Sequence, residues 1–119
     1  MTKEELKDRT KKFALRIIRL VEALPHTASA KVIGNQVIRS GTSVGANYRA
    51  ACRSRSTAEF VAKLGTVVEE ADESAYWLEL TIEANLMKKE LLQPLLEEAI
   101  ELVAILSSSL ISIKEKNKS

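Results

Sequence analysis

Cysteine, histidine and proline are almost missing from this 119-residue chain, which has one, one and two of them, and aromatic residues are few. The single cysteine, Cys52, excludes an intramolecular disulfide and any multi-cysteine metal site. On a helix it reads as a small core residue. His26 has no second imidazole near it in sequence, which makes it a turn residue before a metal ligand or a base. No apolar run approaches the roughly eighteen residues of a membrane span, and the charged start (Lys3, Glu4, Glu5, Lys7, Asp8) lacks the apolar centre of a signal peptide. The expectation is a cytoplasmic protein with no membrane partner. Glycine-rich phosphate loops, internal repeats and low-complexity linkers are all lacking as well.

Acid is missing from one long stretch: nothing negative stands between Glu22 and Glu59. Residues 1–58 carry a net charge of +8, residues 59–113 carry −8, and the tail 114–119 restores the total of +2. Such a split says little about fold and a good deal about partners.

Helix formers dominate, and both prolines fall between or at the edge of apolar-periodic segments. The length suits one core, so residues 1–119 are expected to form a single all-α domain. The periodicity predicts helices over about 3–24, 29–54, 57–85 and 90–114. Pro25 ends the first, and Thr27 or Ser29 caps the second. Ser56-Thr57-Ala58-Glu59 opens the third as a capping box. Pro94 requires the fourth to begin between Lys88 and itself, because proline suits a first turn. The closing KEKNKS reads as a frayed tail. Four long helices with short connections imply an antiparallel up-down-up-down bundle.

The second helix is the unusual one. Ile33, Val37, Val44 and Tyr48 mark its apolar face, and Arg39, Arg49 and Arg53 lie within about 80° of one another on the other side. Its interior also holds Ser40, Gly41, Thr42, Ser43, Gly45 and Asn47, which cost roughly 0.5 to 1 kcal/mol each against alanine. Gly34, Gly41 and Gly45 project in nearly one direction, which points to the close approach of a neighbouring helix. On the first helix, Arg9, Lys12, Arg16 and Arg19 recur at spacings of three, four and three to form a second cationic stripe. If the two stripes align, with Arg55 just beyond, they make an arginine-rich groove suited to phosphate. The scarcity of aromatics favours backbone contact over base stacking. The competing use of these cations is contact with an acidic partner face.

The third helix is apolar on two sides in its second half. Phe60, Leu64, Val67, Ala71, Ala75, Leu78 and Ile82 face the core, while Tyr76, Trp77 and Leu80 lie roughly opposite, beside Glu69 and Glu73. A tryptophan-centred patch marks either a shielded bundle edge or a subunit contact, and Gly41, Gly45, Glu69, Glu73, Tyr76, Trp77 and Leu80 are the candidate interface residues. Catalysis finds no support. A di-metal bundle needs Glu-x-x-His motifs that are missing, and Ser40, Ser43 and Ser54 have no base at a recognisable spacing. No metal, cofactor or catalytic residue is expected.

The run RSGTSVGANYRAACRSRSTAEFVAKLGTVVEEADESAYWLEL, residues 39–80, resembles the bacterial four-helix-bundle proteins called 23S rRNA intervening-sequence proteins, and matching helices extend the likeness over nearly the whole chain. It is similar too to the accessory variability determinant of diversity-generating retroelements, a basic pentamer that associates with reverse transcriptase and nucleic acid. The resemblance implies an antiparallel four-helix bundle, a homopentameric ring, no enzymatic activity, affinity for RNA or DNA, and a reverse-transcriptase-like protein partner.

Overall fold

Thr2 closes the start of the first helix: its side chain accepts the Glu5 N–H at 3.1 Å while the Glu5 carboxylate accepts the Thr2 N–H, a complete capping box. The computed structural model describes residues 1–117. Helix α1 runs Lys3–Ala23, α2 Ala28–Ala51, α3 Thr57–Glu83 and α4 Lys89–Asn117. Each packs on its neighbour in sequence, and α4 returns to close more lightly on α1. The result is an antiparallel four-helix bundle of 51 × 22 × 20 Å.

Thr27 caps α2 by accepting the Ala30 N–H at 3.2 Å. Ser56 caps α3, accepting from Glu59 at 3.1 Å, but the return half of that box is not made. The Glu59 carboxylate turns instead to the Arg55 N–H and to Lys63. Helix α4 starts early enough to put Pro94 beyond the first turn, where its ring is exposed and the carbonyl it leaves unbonded belongs to exposed Glu90. The helix also continues through Lys114–Asn117, where fraying was expected; Lys118 and Ser119 lie outside the described residues.

The end of α3 is fixed by a single left-handed residue. Asn85 has φ 55°, its N–H bonds Ile82 O at 3.0 Å, and the Leu86 N–H reaches back to Thr81 O at 3.1 Å. Those two bonds form a Schellman motif with asparagine in the place glycine usually takes. Asn85→Val should therefore lower stability by about 1–2 kcal/mol in thermal melts, whereas Asn85→Gly should be neutral or stabilising.

The core is continuous along the rod, with Phe13, Ile17, Val37, Val44, Leu64, Val67, Leu78, Leu92, Leu102 and Leu106 almost wholly excluded from solvent. The small polar residues of α2 are accommodated in two ways. Thr42, Ser43 and Asn47 bond back to carbonyls one turn earlier, and buried Ser40 meets Ser74 of α3, hydroxyl to hydroxyl, at 2.9 Å. The glycines serve packing. A Cβ on Gly41 would stand 2.8 Å from the Ile17 side chain, and one on Gly45 would stand 3.3 Å from Thr10. The close approach predicted from the sequence is made by α1 of the same chain, so Gly41 and Gly45 serve an intrachain contact, correcting their assignment to a subunit interface.

Candidate nucleic-acid interface

Leu6, Thr10, Phe13, Ile17 and Leu20 are the buried residues of α1 and fix its rotation. Because Ile17 and Thr10 lie against Gly41 and Gly45, α2 occupies one flank of that stripe. Arg9 is on the other. Its Nε and Nη2 donate to the two Glu98 carboxylate oxygens at 2.8 Å each, and Nη2 also lies 3.0 Å from Glu101. This bidentate clasp ties α1 to α4 and holds the guanidinium even further above its ordinary pKa, through the Glu98 bond first and Glu101 second. Arg16, seven residues on, shares that flank by helical geometry.

The two stripes, which would make one groove only if aligned, are rotated apart at Arg9 and Arg39. Arg9 serves the α1–α4 seam, and Lys12 pairs with Asp8 on its own helix at 2.9 Å. Arg39 crosses to α3, bonding Glu70 at 3.1 Å and also Glu73. Arg55 stands past the end of α2, beside a cleft at the end of the bundle. Arg16, Arg19, Arg49 and Arg53 are exposed and make no ion pair among the described residues.

What α2 does face across its junction with α1 is a different pair of cations. Arg49 and Arg53, one turn apart, share an open groove with Lys7 and Lys11, also one turn apart, and Glu4 and Asp8 are the acids at its rim. Glu4 holds Lys7 at 3.0 Å, but with 83% of its side chain exposed this pair is weak and readily exchanged. The groove can therefore offer four cations to successive phosphates. Lys7 and Lys11 were not singled out from the sequence, where the longer arginine stripe drew attention. Their signal was there: two i, i+4 cation pairs, each beside a small-residue contact, are the pattern that faces across two packed helices.

The aromatic side of α3 also takes a definite form. Trp77 is half-buried against the core, and its indole N–H donates to Glu73 at 3.2 Å. The same Glu73 receives Arg39, so the residue is committed within the chain, while Glu69 is exposed and Leu80 half-buried. Tyr76 packs edge-on to Trp77, centroids 5.2 Å apart, and keeps 53% of its surface in solvent.

The Arg39 guanidinium, aided by the indole N–H, holds the Glu73 carboxyl below the usual carboxylate range. A depressed folded pKa contributes stability above the unfolded value of about 4.3 that is lost as pH falls through the folded one. Denaturant melts at neutral pH and near pH 3 should therefore show Arg39→Ala destabilising at neutral pH and nearly silent in acid. An undiminished effect in acid would mean Arg39 acts through packing instead.

Among the described residues, no group of three or more His, Cys, Asp or Glu could hold a metal ion, and no helix is long and apolar enough to cross a membrane. A family model described as 23S rRNA-intervening sequence protein matches residues 3–108. A solved structure from Bacteroides thetaiotaomicron, described as a protein of unknown function from the S23 ribosomal protein family, is 35% identical, with a TM-score of 0.85 over 92% of this chain and 98% of that one. Comparison with curated proteins finds no match.

Proposed function

The chain belongs to the 23S rRNA-intervening sequence protein family, and from that membership we propose that it is a non-enzymatic, self-associating bundle that holds the backbone of RNA or DNA without sequence preference. The observation that carries this reading is the α1–α2 groove, where Lys7, Lys11, Arg49 and Arg53 converge while Arg9 and Arg39 are spent inside the fold. Four neutralised phosphates give a salt slope of log affinity near −3 to −4. A gel-shift or anisotropy titration of the full chain with RNA and DNA, repeated over a range of salt, tests it. No shift at low salt, or a flat salt response, would remove the nucleic-acid role.

Self-association is supported by Tyr76, an aromatic left half in water on a bundle that buries its other large rings better. A ring of five copies is the arrangement proposed, with the aromatic side of α3 against an unlike face of the next copy. Sedimentation should give a mass five times that of the chain, and Tyr76→Arg should reduce it to the protomer. A native chain that sediments as a protomer at physiological salt would refute this half of the reading.

A second reading is supported by Arg39, whose bonds to Glu70 and Glu73 show cations of this chain meeting its acids. Arg49 and Arg53 would then meet the acids of a neighbouring copy or another protein. In that case Arg49→Glu lowers the sedimenting mass without touching any affinity for RNA.

A further inference from the structure

At the end of the bundle where α1 and α3 begin and α2 and α4 finish, the helices splay around a cleft of about 950 Å³. That is the upper end of the size range of small-molecule sites. Its lining mixes apolar side chains, Phe60, Ile105 and Ile113 among them, with serine and threonine hydroxyls, and its only charged side chains among the described lining residues are Lys3 and Arg55. The Lys3 ammonium lies over the Phe60 ring, 4.9 Å from the centroid, and makes no ion pair among the described residues. The acids next to these cations in sequence lie outside the lining: Glu4, beside Lys3, pairs with Lys7, Glu5 is engaged in the Thr2 capping box, and Glu59, four residues after Arg55, is held by Lys63 and the Arg55 N–H.

One more atom is uncommitted. Ser54 lines the same cleft, and its Oγ is buried without a hydrogen-bond partner, the one such side-chain atom among the described residues. A buried hydroxyl normally finds a partner, and none is supplied by the described residues; closed off from the cleft, it marks loose packing at this end of the bundle and is no contact for a guest. Two cations unpaired among the described residues beside partly exposed apolar side chains are complementary to one kind of guest.

We propose that this cleft is a binding site for a small organic anion with an apolar body, its acid group held by Lys3 and Arg55 and its body on Phe60 and Ile113. The site is separate from the α1–α2 groove. Arg49 and Arg53 take no part in it, so it stands or falls independently of nucleic-acid binding.

The test uses the full-length protein and two probes that differ only in charge, 1-anilinonaphthalene-8-sulfonate and its uncharged parent 1-anilinonaphthalene. The sulfonate should bind one per chain, at least about tenfold more tightly than the parent, and Arg55→Glu should abolish that difference. Lys3→Gln should reduce it. Arg49→Glu should change neither probe. Because Cys52 also lines the cleft, the bound sulfonate should slow its reaction with a thiol reagent, and circular dichroism on each variant checks that the helices persist. Equal affinity for the two probes, an Arg55→Glu variant with the selectivity of the native chain, or an unprotected Cys52 would each overturn the assignment.

Discussion

Gly41→Ala is expected to destabilise the bundle by about 1–2 kcal/mol even though alanine is the better helix former. Alanine in place of glycine gains roughly 0.8–1 kcal/mol of propensity. Against that stands the contact. The new Cβ would meet Cγ1, Cγ2 and Cβ of Ile17 at 2.8, 2.9 and 3.2 Å, and Ile17 is fully buried and branched at that very carbon. A stiff side chain with no free space cannot yield, so the helices must separate, and overpacking of this kind costs about 1–3 kcal/mol. Gly41→Leu should cost more and leave little folded protein. Gly65 supplies the control. Nothing lies within 4 Å of a Cβ built there, so Gly65→Ala should stabilise by about 0.5–1 kcal/mol. Opposite signs in paired thermal melts check the argument, and two changes of the same sign would contradict it.

Reversing Arg49 and Arg53 together should weaken nucleic-acid binding by on the order of a hundredfold at low salt and flatten the salt slope by about two. Both residues are exposed and make no ion pair among the described residues, so the substitutions disturb no side-chain bond seen there and the fold should persist. Under the proposed reading, each replacement removes a phosphate contact and places a carboxylate where a phosphate would approach. Arg39→Glu behaves differently in kind: it puts three carboxylates where Glu70 and Glu73 now share a guanidinium, and its first effect is on stability. The comparison that locates the site is Arg16→Glu with Arg19→Glu. Those cations lie away from the α1–α2 groove, and the pair should lower affinity far less than the groove pair. The reverse ranking, with Arg16 and Arg19 dominant, would move the contact to the other flank of α1.

Proposed binding through the groove and the Arg9–Glu98 clasp are connected by the rotation of α1. The buried stripe that seats Ile17 on Gly41 turns Arg9 toward α4, where Glu98 holds it, and turns Lys7 and Lys11 toward α2.

The order of four helices, the cap at Ser56, a cap at Thr27 or Ser29 and the apolar stripe of each were legible in the sequence because they are local. A cap needs one side chain and its own backbone, and a stripe needs only the helical period. The glycines of α2 likewise announced a close neighbour without identifying it. Which helix that neighbour is, and hence which flank of α1 each cation occupies, depends on a rotation of a few tens of degrees that periodicity leaves open. Tertiary packing decided it, by seating Ile17 on Gly41 and Arg9 on Glu98 and Glu101. The same packing turned Arg39 from a candidate ligand for phosphate into an internal tie and left Arg49 and Arg53 in solvent. Sequence determined what the cations are; the bundle determined which of them remain available, because an ion pair requires two residues far apart in the chain to meet within about 3 Å.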